Sequence, residues 1–337
     1  SVGACLSGVR VATATASVGL ALMHEVCGVT AGLRLPVVMP VVNRSLVAPW
    51  SLWCDHTDSM CERDTGWLQY YCANVQEILD LMLCAYRIAE HEEVLTPAMV
   101  CYDGFYLSHS MQRVDTPSDE EAWDFVKPYE KKNMYVDPKD VMFVNDLCPT
   151  SEHTEMKYQQ MMGFKKAEQV TKEVFGEYER RFGRKLHTVE AYRLEDAEIA
   201  VVTIGSMSGT GKYVVNQLRG QGVKAGLLRI CMFRPFPAQE VLEALQHVKA
   251  VGVVDRSCGL GGASAPVCTE VKAALQGTGV KVYGFVGGIA GRDISDGSFR
   301  KIFQELTEVE KGRRTEVTTW FDVQENAMNM REVDVTC

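Results

Sequence analysis

Short apolar runs alternate along this chain with stretches in which apolar residues recur at helical spacing. Val9–Ala14 and Leu35–Val42 predict strands, and the residues between them predict a helix over 18–27 with Ser17 as its N-cap. Asn74–His91 carries Ile78, Leu81, Met82, Ala85 and Ile88 at helical spacing, and Thr96–Tyr102 reads as the next strand. Residues 115–150 change character. Pro117, Pro128, Pro138 and Pro149 sit there among many charges with a weak apolar period, which predicts an extended arm. Residues 153–184 predict one long polar helix, drier along Met156, Met161, Phe164, Val170 and Phe175, of the kind that bridges domains or subunits.

From residue 186 the alternation resumes. Glu198–Ile204, Ala225–Met232, Ala250–Asp255 and Lys281–Val286 predict strands, with helices near 210–220, 237–247, 263–275 and 296–306. Strands alternating with helices predict an α/β fold with parallel sheets covered on both faces. The expected organisation is a first α/β domain over 1–114, a linker and long helix over 115–185, a second α/β domain over 186–310, and a tail over 311–337 that wraps a partner.

Composition narrows the class. The chain has 337 residues, 46% hydrophobic and 23% charged, as globular proteins do. No apolar run approaches the ~20 residues of a membrane span. The start, Ser-Val-Gly-Ala, has no basic n-region, which argues against a secretory signal, and no initiator Met, so the chain is expected to begin inside a longer protein. A net charge of −9 disfavours nucleic acid. The 12 cysteines include no C-x₂-C pair, so no zinc or iron–sulfur site is expected on this chain. Scattered free thiols suit a reducing cytoplasm.

The densest chemistry lies in residues 36–67, where an apolar run stops at Asn43-Arg44 and polar and aromatic residues follow without period. Ligands in open α/β sheets sit at such strand ends. A charge that ends a buried strand is costly without a partner. Arg44 can therefore grip a carboxylate through two parallel hydrogen bonds, or form a structural ion pair with Asp55 or Asp58. Asp55-His56-Thr57-Asp58 reads as a hydrogen-bonded loop, with a metal or acid–base site as the alternative. Trp50, Trp53 and Trp67 wall a pocket or belong to the core.

Other motifs fall short. Gly205-Ser-Met-Ser-Gly209-Thr-Gly211-Lys212 lacks P-loop spacing, and Tyr213 stands where Ser or Thr would hold magnesium; a strand-to-helix turn is the simpler reading. Cys258-Gly-Leu-Gly261-Gly262 is one Gly short of the dinucleotide fingerprint. No Gly-x-Ser-x-Gly or His-Glu-x-x-His appears.

Nearly the whole chain resembles the α subunit of pyruvate:ferredoxin oxidoreductase and its relatives, the 2-oxoacid:ferredoxin oxidoreductases. The similarity runs through Thr13-Ala-Thr15-Ala-Ser17, Asn43-Arg44 with Ala48-Pro-Trp50, Asp55-His56-Thr-Asp58-Ser-Met60, Arg63-Asp64-Thr65-Gly66, Asp103-Gly-Phe, Phe233-Arg234-Pro235-Phe236-Pro237 and Gly291-Arg292-Asp293. It departs at Val18, where relatives often have Gln. It also lacks the family's first segment, which carries a substrate-loop Thr and the glutamate that activates thiamine; that acid is expected before Ser1.

The resemblance implies a pyrimidine-type thiamine-binding domain followed by a transketolase-C-like domain. It implies Arg44 as the binder of the 2-oxoacid carboxylate, and Thr15, Ser17 and Asn43 as cofactor-binding. Trp50, Asp55, His56 and Asp58 then line the pocket. Thiamine diphosphate would be shared with a partner subunit that holds its diphosphate through Mg²⁺. The [4Fe-4S] clusters would sit on other subunits, with coenzyme A as co-substrate and ferredoxin as acceptor. The implied assembly is a cytoplasmic dimer of heteromers with β-, γ- and δ-type subunits. The implied reaction is oxidative decarboxylation of a 2-oxoacid, first of all pyruvate, or its reverse. Alternatives are oxalate, branched or aryl 2-oxoacids, a transketolase-like enzyme without ferredoxin, and a non-catalytic structural subunit.

Overall fold

The computed structural model describes residues 1–130, 136–310 and 318–324. The chain opens with short helices α1 (Val2–Leu6), α2 (Val18–Leu22) and α3 (His24–Gly32), then strand β1 (Val38–Asn43). Next come α4 (Thr57–Cys61), β2 (Leu68–Tyr71), α5 (Val75–Ala89) and β3 (Ala98–Asp103). Helix α6 (Asp119–Val126) and the 30-residue α7 (His153–Phe182) lead to β4 (Val189–Tyr192), β5 (Ile199–Ile204) and α8 (Ser208–Gly220). Strands β6 (Ala225–Ile230) and β7 (Met232–Arg234), helix α9 (Ala238–Leu245), β8 (Ala250–Asp255), α10 (Pro266–Ala274), β9 (Lys281–Val286), α11 (Asp296–Glu310) and β10 (Thr318–Trp320) complete it.

Two sheets organise these elements, in the orders β1-β3-β2-β7 and β10-β9-β8-β5-β6-β4. All pairings are parallel except β2 with β7 and β4 with β6. Strands β5, β6 and β8 are buried at every residue, which is why they read as unbroken apolar runs. Only Cys231 separates β6, in the second sheet, from β7, in the first. The main chain thus passes from one sheet into the other, and Tyr71 of β2 donates its N–H to the Cys231 carbonyl at 2.7 Å. The sequence reading of Ala225–Met232 as a single strand misses this passage. The buried apolar cluster around β1 is accordingly continuous with that of the second sheet, from Leu20 and Val41 to Ile230 and Phe303.

Several local expectations need correction. Val9–Ala14 is not a strand. It runs beside β1 through bridges at Ala12–Val38 and Thr15–Val41 only. Val38 and Val42 donate to the carbonyls of Val11 and Thr15, but Pro40 between them has no N–H, so the ladder is broken in the middle. The helix expected over 18–27 divides at Met23. Ser17 does not cap it: its φ is +49° and its hydroxyl donates to the Ser45 carbonyl. The arm over 115–150 includes α6, closed by a Ser118–Glu121 capping box and anchored by buried Phe125 and Val126. Residues 131–135 of the arm, and most of the expected C-terminal tail, lie outside the described residues. Within that tail, Thr318–Trp320 extends the second sheet beside β9.

Candidate active site

Asn43 and Asp103 end neighbouring parallel strands in register, so two polar side chains emerge together at the carboxyl edge of the first sheet. Gly104 follows because the chain turns against β1. A Cβ there would lie 2.5 Å from the Asn43 carbonyl oxygen. Beyond β1 the chain crosses residues 44–56 to α4, and the four backbone and side-chain donors that it meets are gathered by one carboxylate.

That carboxylate is Asp58. It is buried and accepts from Ser17 N at 2.9 Å, Arg44 N at 3.0 Å, Asn43 Nδ2 at 2.8 Å and Ser59 N at 2.8 Å. Burial outweighs the pull of these donors toward the ionised form and leaves the Asp58 carboxyl raised to about 6. Asp55, also buried, accepts from the Ser45 hydroxyl, from Thr57 N at 2.9 Å and from Ala290 N at 3.2 Å. Both aspartates therefore bind backbone and hydroxyl donors. Among the described residues neither forms an ion pair with the Arg44 guanidinium, and Arg44 Nε is buried without a hydrogen-bond partner. The structure thus places at the end of β1 an arginine whose main chain is fixed and whose side chain forms no ion pair among the described residues.

A second network lies beneath. His56 Nε2 is 2.7 Å from Asp103 Oδ1, and Arg256, which follows β8 of the other sheet, donates to Asp103 Oδ2 at 3.1 Å. Ser206 adds its N–H at 3.1 Å and its hydroxyl to the same oxygen. The phosphate-loop-like turn after β5 does bind an anion, and the anion is an internal carboxylate. Burial alone would raise the Asp103 carboxyl, but the His56 ring and the Arg256 guanidinium hold it well below the usual carboxylate range. Cys54, His56 and Asp103 each offer one donor atom within 4.8 Å of one another. Arg256 already occupies this cluster, 3.1 Å from Asp103 and 3.9 Å from Cys54 Sγ, and a guanidinium there repels a cation.

The remaining predicted residues sort by burial. Asn43 is buried, with its amide nitrogen on Asp58 and on Ser59 Oγ at 2.7 Å and its Oδ1 without a donor. Ser17 is buried as well, whereas Thr15 is half-buried beside β1. Trp50 is 75% exposed. Trp53 is exposed and packs on Phe105 at 4.5 Å, which stacks on His109 at 4.4 Å. Trp67 alone of the three is core, donating to the Cys27 carbonyl at 2.9 Å. Sequence reasoning about sites passed over Asp103, Ser206 and Arg256. A signal existed: Asp103 and Asp255-Arg256 end apolar strands just as Arg44 does.

A family profile described as "Pyruvate flavodoxin/ferredoxin oxidoreductase, thiamine diP-bdg" matches residues 1–176. The chain belongs to the pyruvate:ferredoxin oxidoreductase family. A profile for "Pyruvate:ferredoxin oxidoreductase core domain II" matches residues 197–298. The pyruvate synthase subunit PorA of Pyrococcus horikoshii is 41% identical over 330 residues, covering 97% of this chain and 83% of that protein. The same-named subunit of Thermotoga maritima is 44% identical over 308 residues, 90% of this chain and 78% of its own. The ketoisovalerate oxidoreductase subunit VorA of P. horikoshii is 37% identical over 324 residues, covering 95% and 82%. A solved structure, the 2-oxoglutarate:ferredoxin oxidoreductase from Magnetococcus marinus with 2-oxoglutarate, coenzyme A and succinyl-CoA bound, covers 92% of this chain and 55% of its own. Its TM-score is 0.63 at 16% identity, so the likeness is one of fold. The expected α/β class with a thiamine diphosphate-binding first unit is borne out for this oxidoreductase family member.

Proposed function

We propose that this chain is the α-type subunit of a 2-oxoacid:ferredoxin oxidoreductase acting on pyruvate. The enzyme would convert pyruvate and coenzyme A to acetyl-CoA and CO₂ with electrons passing to ferredoxin, or run the reverse synthase reaction. The observation that carries the reading is Arg44, a guanidinium at the carboxyl end of a buried strand with no ion-pair partner among the described residues and an unpartnered Nε. A planar fork of donors held there suits a carboxylate through paired hydrogen bonds.

The strand end also fits one flank of a thiamine. Thr15 lies half-buried along β1, and Asn43 leaves an amide oxygen without a donor. When bound, thiamine diphosphate supplies the nucleophilic carbon and the electron sink that decarboxylation needs. Arg44 would fix the substrate carboxylate so that the breaking bond is correctly aligned. Thr15 would line the cofactor's pyrimidine side. Ser17 and Asn43, both linked to Asp58, would hold these positions from beneath. Asp55, His56 and Asp58 would shape the pocket floor, with Trp50 at its rim. Among the described residues the one metal-capable trio is filled by Arg256, which fits Mg²⁺ and the diphosphate being held by a partner subunit. The [4Fe-4S] clusters would lie on γ- or δ-type chains of a cytoplasmic dimer of heteromers. Exposed Val18, Leu22, Val26, Val47 and Trp50 give such partners apolar surface near the site.

Arg44→Lys in the assembled enzyme tests this. A point charge cannot reproduce a bidentate grip, so kcat/KM for pyruvate should fall by about tenfold or more, ~1.4 kcal/mol in transition-state binding. A value within about threefold of wild type removes Arg44 from the substrate site. Similarity to a ketoisovalerate oxidoreductase subunit supports a second reading, a branched 2-oxoacid. The ratio of kcat/KM for pyruvate and for 2-oxoisovalerate decides between the two.

A further inference from the structure

The segment that bears Arg44 is held from outside its own sheet. His56 donates its N–H to the Arg256 carbonyl at 2.9 Å, while the Arg256 guanidinium and the Ser206 turn fix Asp103, the partner of the His56 ring. The loop after β9 grips the other end. Gly291 N donates to the Cys54 carbonyl at 2.6 Å, Ala290 N donates to Asp55, and Tyr106 Oη donates to the Gly291 carbonyl at 2.8 Å. Gly291 has φ +75°, and a Cβ there would come 2.5 Å from Trp53 Cβ, so the contact admits no side chain. Asp55 then takes the Ser45 hydroxyl, and Asp58 takes Arg44 N. The links from the second sheet to the Arg44 main chain are thus hydrogen bonds between buried groups, such as Asp103 and Arg256, and half-buried ones, such as Ser206, Ala290 and the Arg44 amide.

We propose that Asp103 and Arg256 are positioning residues for the substrate. Through them the second α/β unit sets the register of residues 53–58 and, through Asp55 and Asp58, the place of Arg44. This rests on the reading that Arg44 binds the substrate carboxylate. Arg229 provides the contrast. It is buried to the same degree and also joins the two sheets' units, bonding Glu77 of α5 at 2.7 and 2.9 Å and Glu190 at 2.9 Å. It has no hydrogen bond to residues 53–58.

The test compares Arg256→Gln, Ser206→Ala, Arg229→Gln and Arg44→Lys in the complete complex, with separate KM values for pyruvate and coenzyme A. Hydrogen exchange of residues 45–58 is followed in parallel. Arg256→Gln should raise KM for pyruvate about tenfold with KM for coenzyme A within about twofold, as a displaced binding group does, and should speed exchange across 53–58. Arg229→Gln should change neither. If Arg256→Gln does not assemble, Ser206→Ala decides on the same two readouts, with a KM rise of about threefold. Equal effects of Arg256→Gln and Arg229→Gln, or unchanged exchange at 53–58, reduce the network to scaffold and overturn the proposal. A rise for Arg44→Lys with none for the Arg256 and Ser206 variants overturns the positioning role alone. No rise for Arg44→Lys overturns the substrate reading and this one with it.

Discussion

Asp58 shows how a single side chain can specify a site without touching the reaction. Four N–H groups from three separate segments converge on its two oxygens. An amide in its place keeps one acceptor and turns an NH₂ toward donors, so Asp58→Asn should cost roughly 1–3 kcal/mol for the unmet groups. Its pH dependence has a defined sign. The folded-state value, about 6, lies above the ordinary value of about 3.9, so the folded chain holds the extra proton between them. Stability from this group is complete below about 4 and is lost as pH rises through about 6, by roughly 3 kcal/mol. The gap in unfolding free energy between wild type and Asp58→Asn, measured by urea from pH 4 to 7, should therefore narrow as pH rises. A gap that widens would mean that the four donors outweigh burial. At this scale the sequence was legible where one residue breaks a local rule. Arg44 stood out because a charge ended an apolar run. The partners of Asp103 could not be read, because Arg256 lies 153 residues away and Ser206 103.

Among elements, legibility followed burial. Strand β8 falls at the expected residues, Ala250–Asp255, because a strand between parallel neighbours and buried at every residue reads as an apolar run, and β9 falls at the expected Lys281–Val286 with its last three residues buried. Strands β2, β4, β7 and β10 have three or four residues each, too few for a period to register. Strand β7 was further hidden by its continuity with β6, since sequence cannot show that a chain changes sheets at Cys231. Helix α7 was plain, and its packing explains how so polar a helix is held. Val170, Val174, Phe175 and Tyr178 are buried against the first sheet's cluster. Tyr70 meets Thr171 Oγ1 at 2.7 Å and the Phe175 ring at 6.2 Å. Tyr178 donates to Asp80 at 2.7 Å. Phe175→Ala should cost about 3–5 kcal/mol, seen as a lower urea midpoint at unchanged slope. A loss under about 1 kcal/mol would show that α7 is not held by this stripe.

At the level of the whole molecule, two sheets and two family profiles suggest independent domains, which usually unfold separately. The contacts argue otherwise. Strand β7 belongs by sequence to the second unit and by hydrogen bonding to the first, where it covers the β2 edge. Removing it would bare that edge and take Met232 and Cys231 from the cluster beneath α5 and α7. Three contacts of charged groups cross the same boundary: the buried pair Asp103 with Arg256, and the half-buried contacts of Glu77 with Arg229 and of the Arg234 guanidinium with the Arg63 carbonyl at 3.0 Å. Separating the units would strip Asp103 of Arg256 and Glu77 of Arg229, and loss of a partner from the buried Asp103–Arg256 pair costs several kcal/mol. Melting one unit alone is therefore less favourable than melting both. The chain should unfold in one calorimetric transition, with calorimetric and van't Hoff enthalpies agreeing despite a length at which intermediates are common. The transition should also move as a whole when Phe175, in the first unit, is cut to Ala. Two resolved transitions, or a shift confined to one of them, would show that each sheet carries its own stability and that the passage at Cys231 is only a connection.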